Sequence, residues 1–313
     1  MSGDNKRAQR VPKPQWLRRR LPSGPEFEEV KRVLDKAHLH TVCEEAKCPN
    51  LWECFSRHTA TFLIMGDTCT RNCRFCAVSH GTPGPPDPME ASRVAEAARA
   101  MGLRYVVVTS VTRDDLPDGG ARFFAGTISA LREGVPGGSV EVLIPDFRGR
   151  PEDLETVITA RPDVLNHNLE TVERLYPTAR PEAEYGRSLK LLARARERAP
   201  ELPVKSGMML GLGERPVEVR AALSDLLDAG CRMLTLGQYL QPSSKHLAVD
   251  RFVPPEEFDA WRELALAMGF EQVASGPFVR SSYRAGELYR NGPSATAEPG
   301  PKRSVCRVGE EGP

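Results

Sequence analysis

Three cysteines lie close together in the stretch Cys69-Thr-Arg-Asn-Cys73-Arg-Phe-Cys76. Cysteine thiolates bind iron–sulfur clusters and zinc, and a C-x3-C-x2-C loop supplies three of them. A cubic cluster held by three thiolates keeps one iron without a protein ligand, and that iron can bind a small molecule. Structural zinc is the alternative. It normally takes four protein ligands, and neither a histidine nor a fourth cysteine lies nearby at C-x2-C spacing. The spacing therefore favours an iron–sulfur site.

A second group of cysteines, Cys43, Cys48 and Cys54, lies upstream with the spacing C-x4-C-x5-C. Six of the eight cysteines of the chain thus fall between Cys43 and Cys76. In a reducing compartment such groups bind metal more often than they form disulfides. The upstream spacing fits neither a common zinc knuckle nor a ferredoxin loop. On spacing alone, a structural metal site remains an alternative for this second group.

The downstream loop resembles the defining motif of the radical S-adenosylmethionine (SAM) superfamily, including the aromatic Phe75 before the last cysteine. The resemblance implies a [4Fe–4S] cluster on the catalytic ligands Cys69, Cys73 and Cys76, with Phe75 in the cofactor-binding loop. It also implies that the open iron binds SAM, which is cleaved by electron transfer to methionine and a 5′-deoxyadenosyl radical. Such a radical abstracts hydrogen from unactivated carbon, which acid–base side chains cannot do.

Two further stretches resemble the lipoyl synthase family. His40–Asn50, read as His-Thr-Val-Cys-Glu-Glu-Ala-Lys-Cys-Pro-Asn, resembles the family's auxiliary-cluster segment, and Arg280-Ser-Ser-Tyr283 resembles its Arg-Ser-Ser-Tyr motif. Taken alone, the second stretch would be an ordinary turn. The resemblance implies a second [4Fe–4S] cluster with four ligands, Cys43, Cys48, Cys54 and the catalytic Ser282. It also implies that this cluster is dismantled as a sulfur source, and a serine oxygen, which is a weak ligand for iron, suits that use.

The resemblance to lipoyl synthases implies an activity and partners. The expected sulfurtransferase inserts sulfur at C6 and C8 of a protein-bound N6-octanoyl-lysine, takes the sulfur from the auxiliary cluster, and uses two SAM molecules per lipoyl group. The implied partners are an octanoylated lipoyl carrier (a 2-oxoacid dehydrogenase E2 or a glycine cleavage H protein), an electron donor such as ferredoxin or flavodoxin, and an iron–sulfur carrier that rebuilds the cluster.

Two other interpretations of the chain stay open at this point. One is a different radical SAM enzyme with an auxiliary cluster, such as a biotin-synthase-like sulfur transferase or a peptide-modifying enzyme. The other is a non-catalytic, metal-stabilised module that binds protein or nucleic acid. Metal analysis would separate them, because zinc without inorganic sulfide would favour the module.

Further polar residues follow predicted strands, at the edge where barrel enzymes have their sites. The family resemblance, which covers about residues 14–290, includes Thr109–Gly120, Asn166–Glu170 and Lys205–Glu214. Helix capping and turn formation are the alternative roles for such residues. We expect four of them to contact SAM or the substrate amide: Thr109, Ser110, Asn168 and Glu170.

Seven short apolar runs, several of them rich in β-branched residues, predict strands buried on both faces. They are Ala60–Met65, Arg104–Ser110, Val140–Pro145, Asp163–Asn168, Val204–Leu210, Met233–Leu240 and Gln272–Ser275. Between them, six segments carry helical spacing. These are Glu90–Met101, Ala121–Glu133, Glu152–Ala160, Arg187–Arg198, Val217–Ala229 and Glu256–Met268.

This alternation repeats about every 30 to 35 residues, which is typical of βα units around a parallel sheet. An open doubly wound sheet would give the same pattern. Together with the superfamily resemblance, it predicts an α/β fold, a partial (β/α)6-type TIM barrel with N- and C-terminal extensions. We expect four regions: a flexible N-terminal segment (1–26), an auxiliary-cluster extension (27–58), the barrel core (59–290) and a flexible tail (291–313).

Composition limits the classes of partner. The 43 Lys and Arg residues nearly balance the 42 Asp and Glu residues, and the formal net charge of +1 gives no electrostatic footprint for nucleic acid. No apolar run reaches the length that spans a bilayer, and the polar N-terminus lacks the apolar stretch of a secretory signal. We therefore expect a cytoplasmic protein without nucleic-acid or membrane partners, with import into an organelle as the alternative.

Overall fold

A computed structural model describes residues 12–18 and 24–290 of the chain. Most of the N-terminal segment expected to be flexible, and all of the tail after Arg290 with Cys306, lie outside the described residues. Within the first described stretch, Gln15–Leu17 forms one turn of 3-10 helix and buries Leu17. The first α-helix begins at Pro25, two residues before the expected start of the auxiliary-cluster extension.

The helices and strands alternate along most of the described chain. The helices are α1 (Pro25–Lys36), α2 (Val42–Glu45), α3 (Leu51–Phe55), α4 (Glu90–Ala100), α5 (Ala121–Gly134), α6 (Pro151–Thr159), α7 (Tyr176–Ala179), α8 (Tyr185–Arg198), α9 (Pro216–Asp228), α10 (Pro255–Met268) and α11 (Ala285–Arg290). The strands are β1 (His40–Thr41), β2 (Thr61–Ile64), β3 (Thr68–Cys69), β4 (Ser79–His80), β5 (Tyr105–Ser110), β6 (Ser139–Leu143), β7 (Val164–Asn166), β8 (Val204–Leu210), β9 (Met233–Gln238) and β10 (Gln272–Gly276).

One large sheet organises the molecule. In the described part of the chain it has the order β1-β2-β5-β6-β7-β8-β9-β10, and every pairing except the antiparallel β1–β2 is parallel. Each parallel strand pairs with the next strand of this sheet along the chain, with a helix between them; the two-residue strands β3 and β4 form a separate pair. A doubly wound sheet would reverse its strand order at a switch point, whereas this order winds in one direction as a barrel does. The partial barrel predicted from the sequence is therefore confirmed.

The barrel core forms as the sequence pattern predicts. The central residues of β5, Val106, Val107 and Val108, are buried, as expected for a strand covered on both faces. In α5, the buried residues Ala121, Phe124, Ile128 and Leu131 recur every three or four positions and form one apolar face. Proline occupies the first position of α6, α9 and α10, where its missing amide donor costs nothing.

The sheet does not close on itself. At one edge β2 pairs outward only with the two residues of β1, and at the other edge β10 pairs only with β9. The N-terminal extension packs along this opening through α2 on β2, while α11 packs on β5 and β10. The two ends of the described chain therefore border the same open side of the barrel. Among the described residues, no helix has the length and apolar character needed to cross a membrane.

Candidate functional site: two thiol groups at one cavity

The downstream cysteine loop begins where the short strand β3 ends. The sulfur of Cys69 accepts hydrogen bonds from the backbone amides of Arg71 (3.4 Å) and Thr112 (3.3 Å). Burial is the main cause that raises the pKa of Cys73, and burial together with the nearby Cys73 and Cys69 raises the pKa of Cys76 to about 12. Cys73 and Cys76 therefore keep their protons when no metal is bound, and a metal must displace those protons when it binds.

Arg71, inside the cysteine loop, anchors that loop to the barrel. Its guanidinium is almost fully buried and bridges two carboxylates, Asp114 Oδ2 at 2.7 Å and Asp146 Oδ1 at 2.6 Å. Burial opposes ionisation of Asp146, but the hydrogen bonds and charge of Arg71 outweigh it and hold the pKa of Asp146 well below its ordinary value. These pairs could not be predicted from the sequence, because the partners lie 43 and 75 positions away along the chain.

The loop that follows β9 covers the other side of the cysteine loop. His246 Nε2 lies 2.9 Å from the carbonyl oxygen of Cys76, and its Nδ1 lies 2.9 Å from Ser243 Oγ. A carbonyl can only accept, so Nε2 carries the proton and Nδ1 accepts from the serine. The backbone amide of Leu247 also donates to the carbonyl of Arg74 (3.0 Å). Sequence reasoning missed His246, since a histidine in a polar loop has no distinguishing pattern.

The upstream cysteines lie on two short helices of the N-terminal extension. Thr41 caps α2 by accepting from the amide of Glu44 (3.2 Å), which places Cys43 in the first turn of that helix. Cys48 follows in the next loop, and Cys54 lies on α3. Burial, reinforced by the neighbouring thiols Cys48 and Cys54, raises the pKa of Cys43. Cys48 and Cys54 therefore lie near enough to Cys43 to affect its ionisation.

The segment with the Arg-Ser-Ser-Tyr motif lies directly against this extension. Asn50 Nδ2 donates to the carbonyl of Phe278 (2.6 Å), and Tyr283 Oη donates to Glu53 Oε1 (2.8 Å). Arg284 forms an ion pair with the same carboxylate at 3.2 Å. These contacts join parts of the chain that are about 230 residues apart in sequence, and they hold the motif segment against the extension that carries the upstream cysteines.

A single cavity of about 750 Å³ connects the two thiol groups. Of the predicted site residues, eight contribute to its wall, whereas Cys69, Cys73, Thr109 and Ser110 do not. The eight are Cys43, Cys48, Cys54, Phe75, Cys76, Asn168, Glu170 and Ser282. The cavity is therefore large enough for a small-molecule cofactor, and it is bordered by all three upstream thiols and by Cys76 of the downstream loop.

The four residues expected to contact SAM or substrate differ in their surroundings. Asn168 Nδ2 donates to Glu170 Oε1 (3.0 Å) at the cavity wall, and burial raises the pKa of Glu170 even though the charge of Arg180 opposes this. Thr109 instead donates its hydroxyl to the carbonyl of Leu143 inside the sheet (2.9 Å). Ser110 Oγ is buried and has no hydrogen-bond partner among the described residues.

His167, which lies between two asparagines, has a scaffold role. Its Nδ1 donates to the carbonyl of Ile144 (2.8 Å), and its Nε2 accepts from Ser188 Oγ (3.0 Å). Burial lowers the pKa of His167 to about 4, so the ring is neutral near pH 7. Because both nitrogens are bonded within the barrel wall, His167 holds two elements together.

The donor set fits two cubic iron–sulfur clusters. All seven cysteines in the described part of the chain are free thiols, and six of them form the two groups. Within residues 12–18 and 24–290, no three His, Cys, Asp or Glu side chains are arranged to hold one metal ion. In a cubane each thiolate binds a different iron, so the ligands need not meet at one point. The backbone amides aimed at Cys69 Sγ would also stabilise a thiolate there.

Two family models match separate parts of this chain. Residues 63–226 match the Radical SAM superfamily, and residues 2–48 match the N-terminal domain of lipoyl synthase of the Radical SAM family. The crystal structure of Streptococcus suis SuiB bound to S-adenosylmethionine superposes with a TM-score of 0.52 at 11% identity, covering 66% of this chain and 46% of that one. This structural likeness supports the radical SAM fold.

Relatives that match over nearly their whole length identify the family within the radical SAM superfamily. The lipoyl synthase of Desulfotalea psychrophila is 59% identical over 281 residues, which are 90% of this chain and 94% of that protein. The lipoyl synthase of Chlorobium phaeovibrioides is 57% identical over 89% of this chain and 98% of its own length. Identity at this level over nearly the whole of both chains shows that this protein belongs to the lipoyl synthase family of radical SAM enzymes.

Proposed function

We infer that this chain is a lipoyl synthase, a sulfurtransferase that inserts two sulfur atoms, at C6 and C8, into a protein-bound N6-octanoyl-lysine. The observation that carries the inference is that the three upstream cysteines, Ser282 and Cys76 of the downstream loop line the same cavity. A reaction that needs a radical source and a sulfur source requires both to reach the same carbon chain. When bound, the SAM-binding cluster supplies the electron that cleaves SAM, and the auxiliary cluster supplies sulfide.

The residues of the chain have separate roles in this proposal. Cys69, Cys73 and Cys76 hold the SAM-binding cluster, and Phe75 lies beside SAM. The auxiliary cluster is held by Cys43, Cys48, Cys54 and Ser282. Asn168 and Glu170 face the cavity and orient SAM or the substrate amide. Thr109 acts at the same cavity through Leu143, whose carbonyl accepts its hydrogen bond, and Ser110 remains a proposed contact of SAM or the substrate amide. Because two sulfurs are inserted, one SAM site must act twice.

The proposed partners follow from the substrate. The octanoyl-lysine belongs to a lipoyl carrier, either a 2-oxoacid dehydrogenase E2 domain or a glycine cleavage H protein. A ferredoxin or flavodoxin supplies electrons, and an iron–sulfur carrier restores the auxiliary cluster after turnover. We place the enzyme in the cytoplasm, where thiols remain reduced and available as ligands. The four regions bounded at residues 26, 58 and 290 remain our proposed domain organisation.

The test separates the two thiol groups by function. Wild-type enzyme incubated anaerobically with SAM, a reductant and an octanoylated carrier peptide should release 5′-deoxyadenosine and form first the singly and then the doubly thiolated product. The Cys76→Ala variant should lose SAM cleavage altogether. Cys48→Ala should retain SAM cleavage and form no thiolated product, because only the auxiliary group has lost a ligand.

Three outcomes would contradict the proposal. Release of methionine by the wild type without sulfur transfer would indicate another radical SAM reaction, such as a peptide modification. Loss of SAM cleavage alone in both variants would contradict the division of roles between the cysteine groups. Zinc without inorganic sulfide in the purified protein would instead indicate a metal-stabilised binding module.

A further inference from the structure

A buried ion pair lies in the barrel interior, and neither of its residues lines the cavity described above. Lys205 Nζ and Glu141 Oε1 are 2.8 Å apart, and both side chains are fully inaccessible to solvent. Glu141 also accepts from Asn166 Nδ2 (3.0 Å) and from Tyr105 Oη (2.6 Å). Each carboxylate oxygen therefore has a donor, and the charge of Glu141 is matched by Lys205.

Stability alone does not explain this pair. Removing two charges from water costs free energy that their attraction often fails to recover, and apolar replacements of similar volume are frequently neutral or stabilising. The remaining contact of Lys205 is more informative. Its ammonium donates a second, short hydrogen bond (2.6 Å) to the backbone carbonyl of Ser281.

That carbonyl belongs to the peptide bond that begins Ser282. The side chain of Ser281 is held as well, since its Oγ donates to Asn168 Oδ1 (2.8 Å), and Asn168 in turn donates to Glu170. The segment also lies close above Gly207, where an added Cβ would come within 2.9 Å of Ser281 Oγ. The barrel interior thus fixes the residue before Ser282 through its backbone, its side chain and its close packing.

We propose that Lys205, held in place by Glu141, is a positioning residue that fixes the Ser281–Ser282 peptide and thereby keeps the Ser282 hydroxyl available to the auxiliary cluster. This inference rests on the proposed role of Ser282 as a ligand. The buried ion pair between Glu141 in β6 and Lys205 in β8 would then position a cluster ligand without binding the cluster itself.

The decisive variant replaces both charges at once, Glu141→Gln with Lys205→Met, so that no unpaired charge remains buried. We expect it to retain the SAM-binding cluster and 5′-deoxyadenosine formation. Its auxiliary cluster should lose iron to a chelator about tenfold faster than the wild type, as expected when a charged hydrogen bond is lost. In the cluster-free protein, amides of residues 279–284 should exchange with deuterium faster.

Three further variants make the experiment specific. Tyr105→Phe removes another hydrogen bond to Glu141 without touching Ser281, and its auxiliary cluster should lose iron at the wild-type rate. Lys205→Gln, which is shorter and uncharged, should change iron loss in the same direction as the double variant. It keeps the experiment decisive if the double variant does not fold. Ser282→Ala measures the ligand role directly.

The outcomes separate this inference from the function it builds on. If Ser282→Ala loses iron at the wild-type rate, the ligand assignment is wrong and the positioning role falls with it. If Ser282→Ala loses iron quickly while both Lys205 variants match the wild type in iron loss and amide exchange, the ligand assignment stands and the positioning role is wrong. Fast iron loss in the Ser282 variant and in both Lys205 variants, with unchanged 5′-deoxyadenosine formation in the Lys205 variants, supports both.

Discussion

At the scale of single residues, the cysteine loop owes its shape to Arg71 as much as to its thiols. One guanidinium binds two carboxylates from different loops, and only a planar group with several donors can do so with this geometry. Asp114 therefore has a partner inside the protein. The spacing of the motif predicted that its cysteines act as cluster ligands. It could not predict the partners of Arg71, because the tertiary fold determines them.

Replacing Arg71 tests this arrangement. Arg71→Lys keeps the charge but cannot pair with Asp114 and Asp146 together, and we expect it to lower the free energy of unfolding by about 2 kcal/mol. The control is Arg122→Lys, at an exposed pair with Asp118, where the expected loss is below about 0.5 kcal/mol. Anaerobic denaturant unfolding measures both, and equal effects would show that the buried pairs are no more important than the exposed one.

At the scale of elements, the C-terminal segment packs closely on two strands at positions occupied by glycine, Gly207 in β8 and Gly237 in β9. A Cβ on Gly237 of β9 would collide with the backbone carbonyl of Val279, closer than real contacts allow. Backbone cannot move aside as a flexible side chain can. The Val279–Ser282 segment can therefore pack on β9 only because residue 237 is glycine.

The substitution Gly237→Ala should displace that segment. We expect faster iron loss from the auxiliary cluster and a free energy of unfolding lowered by about 1 to 3 kcal/mol, as for overpacked cores. Gly126→Ala, in the exposed middle of α5 where a Cβ meets nothing within 4 Å, is the matched control. It should raise stability by about 0.5 to 1 kcal/mol. An unchanged auxiliary cluster in Gly237→Ala would contradict the proposed packing.

The elements themselves were largely predictable from the sequence. The apolar runs predicted all seven parallel strands of the large sheet, and helical spacing predicted α6, α9 and α10 with starts one residue after the prolines that begin them. The antiparallel β1 and the pair β3–β4 were missed, because strands of two residues have no measurable periodicity. The predicted strand Asp163–Asn168 is shortened to Val164–Asn166, and Asn168 beyond it turns its side chain to Glu170 and Ser281.

At the scale of the whole molecule, the open side of the barrel and the auxiliary site coincide. The N-terminal extension and the segment that ends in α11 border the opening between β2 and β10, and they contact each other through Asn50 and Glu53. The sequence resemblance indicated that Cys43, Cys48 and Cys54 share a site with Ser282. It could not indicate the hydrogen bonds that join the two segments, since spacing carries no information over such separations.

Metal content tests the site assignment for the whole molecule. Anaerobically reconstituted protein should hold about eight iron and eight sulfide per chain, as expected for two cubanes. Cys54→Ala should reduce both to about four, because one ligand of the auxiliary group is lost. Cys231→Ala, at a buried thiol outside both groups, should leave both at about eight. A wild-type protein that holds one cubane and still forms the doubly thiolated chain would overturn the two-cluster assignment.

The hydrogen bond between Asn50 and Phe278 also fixes the order in which the protein can be completed. It spans 228 residues, so it requires the closure of a loop that includes almost the entire barrel. A ribosome that has synthesised Cys43, Cys48 and Cys54 has yet to make more than two hundred residues before Ser282 emerges. The contact between the N-terminal extension and the segment that carries Ser282 must therefore be among the last parts of the molecule to form, after synthesis of the barrel is finished.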